Sequence, residues 1–268
     1  MVKKQNFLYI AFAFMLLLTS CSEYQRALKN DDIKVKYALA EKLYNEGEYK
    51  KALRLFEQIV PKYIGKPQGE RVIFFYADSY YKTKDYYLSG FRFEQFTKSY
   101  PNSDRIEEAA FLGAKSYYYL SPKYSIDQTE TYDAIEKLQV FINEYPNSER
   151  LTEANTMVKE LTTKLEKKAY EIAKQFNKIS DHYAAIKSFE LFLQNNAGTI
   201  YKEDAMFYRL DSSYKLAVNS VFRRKEERLK AAQEAYNVLM TNFAESKYAK
   251  QANEMSETIK KELEQFSK

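Results

Sequence analysis

The fold of this chain is decided by two stretches that end alike, SGFRFEQFTKSYPNS at residues 89–103 and AIEKLQVFINEYPNS at residues 134–148. In each, a small residue is followed by large apolar residues four and seven positions later. That spacing places all three residues on one face of a helix. A proline then stops the helix, and the Asn-Ser pair after it can cap the next one. Each stretch therefore predicts the second helix of a helix hairpin and the break that follows it.

The same pattern recurs along most of the chain. The small residues of its five copies are Ala52, Ser89, Ala134, Ala185 and Ala232. A further alanine lies twelve residues earlier in three copies, at Ala40, Ala77 and Ala173. In the third copy Ala114 lies twenty residues before Ala134, because about eight residues are inserted within 121–129. Paired small residues allow the two helices of a hairpin to pack closely. We therefore predict an all-α, TPR-like helix-turn-helix solenoid of about five repeats.

The copies also predict how the chain is divided. Residues 36–150 hold repeats 1–3, and residues 151–268 hold repeats 4 and 5 with a capping helix. The segment Leu151 to Ile179 contains neither proline nor glycine. It is predicted to form one long helix that joins the two halves. Residues 247–266 are predicted to be a polar terminal cap.

The composition excludes several classes of function. The chain has 268 residues, with six glycines, five prolines, one cysteine and one histidine. A disulfide framework and a multi-histidine metal site are thereby excluded. The net charge of +5 includes Lys3 and Lys4, which leaves no basic footprint for nucleic acid. The mixed-sign run at residues 223–228 is interpreted as a solvated face, and the alternative is pairing with acids on a partner protein.

No catalytic or phosphate-binding motif is found in the sequence. It contains neither a glycine-rich phosphate loop nor a Gly-x-Ser-x-Gly elbow. His182 is interpreted as a turn residue, because a catalytic role would require a nucleophile beside it. We therefore expect a protein that is not an enzyme and that holds no cofactor and no metal.

The first twenty residues are typical of a secretory signal. Two lysines precede an apolar run at residues 7–18, which is too short to span a bilayer. The only cysteine, Cys21, follows Leu18-Thr19-Ser20, which resembles a bacterial lipobox. We predict a lipoprotein signal peptide at 1–20, a lipid attached to Cys21, such as palmitate, and a polar spacer at 21–35. The alternative is a free cysteine inside an ordinary signal peptide.

Aromatic residues recur on the first helix of each repeat. Tyr44, Tyr81 and Tyr118 are spaced 37 residues apart, four residues after the alanine position. Phe74 and Phe111 lie three residues before it. First helices line the concave face of a TPR array, so these five rings are candidates for a peptide-binding groove. The alternative interpretation is that they belong to the core.

Taken together, these features resemble a known family. The residues that carry the resemblance are FYADSYY at 75–81, residues 93–103, SIDQT at 125–129 and residues 134–148. With the lipobox and the repeats, they resemble the BamD (YfiO) family of outer-membrane assembly lipoproteins. The resemblance implies five TPRs, lipid-anchored at the periplasmic face of the outer membrane. It also implies two kinds of partner, a BamA-type barrel protein that binds through its periplasmic POTRA domains and unfolded outer-membrane barrel substrates.

The function expected from this resemblance is a lipid-anchored TPR adaptor of the β-barrel assembly machinery. The nearest alternative is another TPR envelope lipoprotein that serves as a secretion or division scaffold. A nutrient-binding lipoprotein is a more distant one, because glycan sites favour tryptophan and this chain has none.

Overall fold

The computed structural model describes residues 23–266, and these residues form helices joined by turns. The predicted all-α fold class is confirmed. The α-helices are α1 (23–29), α2 (Ile33–Asn45), α3 (Tyr49–Ile59), α4 (Gly69–Lys82), α5 (Tyr86–Ser99), α6 (Ile106–Leu120), α7 (Thr129–Glu144), α8 (Leu151–Lys178), α9 (His182–Asn195), α10 (Lys202–Val218), α11 (Phe222–Asn242) and α12 (Ala249–Leu263). Short 3₁₀ turns occur at Val60–Lys62 and Glu264–Phe266. The predicted signal peptide at 1–20 and Cys21 lie outside the described residues.

Small residues close the helix hairpins, as the spacing predicts. Eight of the nine small residues that defined the repeats have no exposed surface, namely Ala40, Ala52, Ala77, Ser89, Ala134, Ala173, Ala185 and Ala232. The ninth, Ala114, is 5% exposed. Because these positions carry little or no side chain beyond Cβ, the paired helices approach closely and the large residues fill the space between hairpins.

Three hairpin turns share one geometry. Gly47, Lys84 and Ser180 each adopt a positive φ, at 80°, 65° and 63°. The next helix is then capped in two of the three turns, where Asp85 and Asp181 accept hydrogen bonds from backbone N–H groups three residues later. These aspartates satisfy donors that the helix itself leaves unpaired.

The first compact unit contains the described residues up to Ser121 together with Thr129–Val158. It holds three hairpins, α2–α3, α4–α5 and α6–α7, and the first turns of α8. Consecutive hairpins pack side by side through a core rich in phenylalanine. The phenylalanines buried to less than 2% exposure in this unit are Phe56, Phe74, Phe93, Phe96 and Phe141.

The second compact unit contains Pro122–Gln128 and the chain from Lys159 onward. It holds two hairpins, built from the end of α8 with α9 and from α10 with α11, followed by α12. Its first core cluster joins Tyr170 and Ala173 to Phe189 and Phe192. The long helix predicted over Leu151 to Ile179 is confirmed as α8, which ends at Lys178.

The N-terminal spacer is shorter than predicted. Within the predicted spacer at 21–35, residues 23–29 are helical and a second helix begins at Ile33. Ala27 is 3% exposed, and Tyr24 and Leu28 pack against the core of the first unit. Their apolar side chains dock this segment, so it is part of the fold rather than a free linker. Among the helices described for residues 23–266, none is both long enough and apolar enough to cross a membrane.

Candidate functional site

A repeated pair of hydrogen bonds links each repeat to the one before it. In the first copy, Ser103 accepts a hydrogen bond from the backbone N–H of Arg105 at 3.0 Å and donates one to Glu70 at 2.5 Å. The equivalent pairs are Ser148 with Glu107, Thr199 with Glu166 and Ser246 with Glu203. The hydroxyl thus fixes the turn that leads into one first helix and holds a carboxylate on the previous first helix.

The residue two positions after each of these hydroxyls covers an aromatic ring. The guanidinium carbon of Arg105 lies 3.5 Å from the ring centroid of Phe74. Arg150 lies 5.7 Å from Phe111 in the same way. In the second unit phenol rings replace the guanidinium groups, with Tyr201 stacked on Tyr170 at 5.1 Å and Tyr248 stacked on Phe207 at 3.9 Å. In every copy the hydroxyl pair fixes the backbone that carries the covering group.

Two of the five predicted groove residues belong to the core. Phe74 is 1% exposed and Phe111 is 4% exposed. Each is covered by the planar side chain of the following repeat, Arg105 or Arg150, and cannot contact a peptide without unpacking the repeat. The groove hypothesis is corrected accordingly, and Tyr44, Tyr81 and Tyr118 remain as candidates.

Tyr44 is half-buried at the end of α2. Its ring stacks on Phe75 with centroids 4.3 Å apart, and its hydroxyl donates to the buried carboxylate of Asp78 at 2.5 Å. Burial raises the pKa of Tyr44 and also that of Asp78. Because a neutral phenol satisfies the buried acid, this pair holds α2 against α4.

An open cleft lies beside Tyr44. Phe75 forms part of its wall, and Arg71 and Arg105 lie on its rim. Arg71 pairs with Glu41, while Arg105 pairs with Glu108 at 3.1 Å. An aromatic wall next to two guanidinium groups is suited to a ligand that carries both a ring and a carboxylate. The sequence pattern did not single out either arginine, because each reaches the cleft beside Tyr44 from a later repeat.

Tyr81 and Tyr118 belong to a second aromatic cluster, which we call the tyrosine cluster (Tyr81, Tyr86, Tyr118 and Tyr119). Tyr119 connects it, lying 6.3 Å from Tyr81, 4.5 Å from Tyr86 and 5.4 Å from Tyr118 between ring centroids. Tyr81 and Tyr118 are half-buried, whereas Tyr119 is 44% exposed. Of the three tyrosines that are spaced 37 residues apart, Tyr81 and Tyr118 lie in this one cluster. The sequence signal for the missed Tyr119 was the run of three tyrosines at 117–119.

At the position equivalent to Tyr44, the second unit has Asn177, which keeps the hydrogen bond to an aspartate but has no aromatic ring. Asn177 donates to Asp211 at 2.7 Å and to Ser212 at 2.9 Å, across the same separation of 34 residues as Tyr44 and Asp78. Lys215 adds an ion pair with Asp211 at 2.8 Å. The series of tyrosines at this position, Tyr44, Tyr81 and Tyr118, therefore ends before Asn177, as the sequence indicates.

The one histidine lies near Asp211 and Lys215 of this hydrogen-bonded group. His182 is the first residue of α9, directly after the capping Asp181. Burial and the nearby Lys215 lower the pKa of His182. Across residues 23–266, no three side chains of histidine, cysteine, aspartate or glutamate are grouped so that they could hold a metal ion.

The chain is similar to one protein family and to a solved repeat structure. A family model described as YfiO, outer membrane lipoprotein, matches residues 29–229. No curated protein matches the chain. A similar solved structure is that of a putative kinesin light chain from Podosopora anserina with nearly identical TPR-like repeats. It is 16% identical, and the match covers 86% of this chain and 97% of that one, with a TM-score of 0.33.

Proposed function

Because the chain belongs to the YfiO family of outer membrane lipoproteins, we propose that it is a lipid-anchored adaptor of the outer-membrane β-barrel assembly machinery. The observation that carries this proposal is the family match over residues 29–229. That range contains helices α2–α10 and with them the cleft beside Tyr44 and the tyrosine cluster. The adaptor assists the insertion of barrel proteins without performing covalent chemistry itself.

The anchor in this proposal is an acyl group on Cys21. The lipid anchors the chain in a membrane, since burying each acyl methylene contributes about 0.8 kcal/mol. The membrane is proposed to be the outer membrane, at its periplasmic face, because the matching family is one of outer membrane lipoproteins. The folded part then begins at α1, close to the membrane. The adaptor is thereby confined to the surface at which barrel proteins are inserted.

We assign two partners to the adaptor. A BamA-type barrel protein binds through its periplasmic POTRA domains and is held by the C-terminal repeats. Unfolded barrel substrates are received by the N-terminal repeats. Barrel strands alternate apolar and polar residues and carry aromatic residues near their ends, so the tyrosine cluster and the cleft beside Tyr44 offer ring contacts and cationic partners of suitable chemistry. Because substrates must be released, this binding is expected to be weak.

The test is a pulldown of the full chain, tagged at its C-terminus, from its own cell envelope in mild detergent. The proposal predicts that a barrel protein with POTRA domains is the dominant partner. The control is Cys21→Ala, which removes the acyl group and should leave the protein out of the membrane fraction. Recovery of a secretion or division complex instead of a barrel protein would support the alternative scaffold and contradict the proposal.

A further inference from the structure

The turn between α10 and α11 exposes two neighbouring apolar side chains. Val221 is 69% exposed and Phe222 is 70% exposed. The ring of Phe222 lies against Phe266, with centroids 4.8 Å apart. Two adjacent exposed apolar side chains keep apolar area in contact with water, which burial against another surface would remove.

This turn extends beyond the equivalent turn of the first unit. Asp78 and Asp211 occupy the same place in their helices, because each accepts a hydrogen bond from the residue 34 positions earlier. From Asp78, α4 runs only to Lys82, whereas from Asp211, α10 runs on to Val218. The three additional residues lengthen the helix by about 4.5 Å. The apolar pair therefore stands at the end of a protruding hairpin, which we call the tip (residues 219–224).

The neighbouring turn in the second unit is apolar as well. Ile179, which precedes Ser180 in the α8–α9 turn, is 60% exposed. The residues at the same place in the two matching turns of the first unit are Glu46 and Thr83, before Gly47 and Lys84. Identical turn geometry with polar residues in one unit and an apolar residue in the other shows that the backbone does not require the apolar side chain.

Two arginines directly follow the apolar pair in the chain. Arg223 and Arg224, in the first turn of α11, are both exposed. The acids of this helix come later, and Glu226 is paired with Lys230 at 2.7 Å. Lys225 is paired with Glu262 at 2.6 Å. The outermost part of the tip thus carries two apolar groups and two guanidinium groups.

We propose that the tip is a second membrane contact, in which Val221 and Phe222 enter the headgroup region of an anionic bilayer while Arg223 and Arg224 bind lipid phosphates. Apolar side chains beside arginines are the composition of interfacial membrane segments. Each cation near an anionic surface strengthens the attraction. This contact goes beyond the adaptor function and needs no barrel partner.

The shape of the tip favours a bilayer over the surface of a protein. An apolar anchor in a protein interface is surrounded by other contacts that exclude water from it. Val221 and Phe222 stay 69% and 70% exposed even though Phe266 lies against the phenyl ring, so the tip itself supplies no such rim. A fluid headgroup layer closes around a small protrusion, so it can bury these groups without a matching pocket.

The absence of tryptophan from the chain permits a direct test. Phe222→Trp introduces a single fluorescent reporter at the tip of the full, acylated protein. Tyr87→Trp, at a side chain that is 69% exposed on α5, is the matched control. Both proteins are reconstituted into vesicles of phosphatidylethanolamine and phosphatidylglycerol that contain brominated lipid, and circular dichroism verifies that each is folded.

The proposal predicts blue-shifted and bromine-quenched emission from Phe222→Trp and solvent-exposed, unquenched emission from Tyr87→Trp. Adding Arg223→Gln and Arg224→Gln should lower the ratio of inserted to free tip by roughly 30-fold. Unquenched emission from Phe222→Trp in anionic vesicles would overturn the proposal. Shielding that appears only after envelope proteins are added would also overturn it and would identify a protein interface. The vesicles contain no barrel protein, so this outcome does not depend on the adaptor function.

Discussion

The hydroxyl group of Ser103 lies 2.5 Å from the carboxylate of Glu70, on a helix one full repeat earlier in the chain. The same hydroxyl accepts the backbone N–H of Arg105 at 3.0 Å, so one atom fixes the turn before α6 and holds the start of α4. Because the relationship recurs in four breaks, it is a repeating link between neighbouring hairpins rather than a local turn feature.

Loss of this link should destabilise the first unit. Ser103→Ala removes the acceptor of the Arg105 N–H and leaves Glu70 without the Ser103 donor, which we expect to lower the free energy of unfolding by about 1–2 kcal/mol. The measurement is urea denaturation followed by circular dichroism. Ser99→Ala, at an exposed position on α5, is the control and should change stability by less than about 0.5 kcal/mol. Equal effects of the two substitutions would mean that the link has no energetic role.

A glycine on α5 is required by a ring on α6. A Cβ atom at Gly90 would lie 2.8 Å from Cε2 of Tyr117, closer than side chains approach one another. Gly90→Ala should therefore destabilise the protein by about 1–2 kcal/mol, although alanine favours a helix. Gly198→Ala is the control, since nothing lies within 4 Å of its added Cβ. A melting temperature that is unchanged by Gly90→Ala would show that Tyr117 packs elsewhere.

Stability should fall in alkaline solution because of the buried tyrosines. Burial raises the pKa of Tyr117 to about 12, and it raises the pKa values of Tyr44, Tyr80 and Tyr170 as well. Unfolded tyrosines ionise near pH 10, so the unfolded chain loses these protons first. The stabilisation is complete below about pH 10 and is lost as the pH rises toward the folded values.

We therefore expect a lower melting temperature at about pH 11 than at about pH 8. Ultraviolet titration should show a fraction of the 25 tyrosines that ionises only when the protein unfolds. Ionisation of every tyrosine near pH 10, without loss of structure, would contradict the burial described here.

Tyr44, Tyr81 and Tyr118, the three tyrosines that are spaced 37 residues apart, should contribute to peptide binding. The triple change of Tyr44, Tyr81 and Tyr118 to alanine is expected to weaken binding of a barrel C-terminal peptide, because each ring contact contributes about 0.5–1.5 kcal/mol. The protein should remain folded, since all three rings are only half-buried, but its melting temperature should fall because the buried Asp78 loses the hydroxyl of Tyr44. The matched control changes Tyr87, Tyr132 and Tyr183, which are exposed, to alanine.

Melting temperature and peptide affinity are measured on the same samples of these two variants. A folded triple variant with unaltered peptide affinity would exclude the three tyrosines from the groove. An unfolded triple variant would assign the three tyrosines to the core, where each truncation would cost about 3–5 kcal/mol.

The local sequence pattern was sufficient for the helices and their packing faces. Small residues at fixed spacing gave the hairpins, and the lack of proline and glycine between Leu151 and Ile179 gave α8. These features depend on neighbours within about twelve residues. Propensity and periodicity act over that range.

The position of the aromatic rings could not be obtained in the same way. Phe74 and Tyr44 both lie on the first-helix face that spacing assigned to the groove. Arg105, which covers Phe74, comes from the next repeat and is held there by the hydrogen bonds of Ser103. Burial of a first-helix ring thus depends on a residue about thirty positions later, which no periodicity within a repeat encodes.

The most direct test of the adaptor function is the amount of folded barrel protein in the outer membrane after depletion of this protein from its own cells. Folded and unfolded barrels are separated by their heat-modifiable mobility in gels. The account predicts that folded barrels decline while lipoproteins of the same membrane stay constant, and that the full chain restores them but Cys21→Ala does not. Undiminished folded barrels after complete depletion would contradict it.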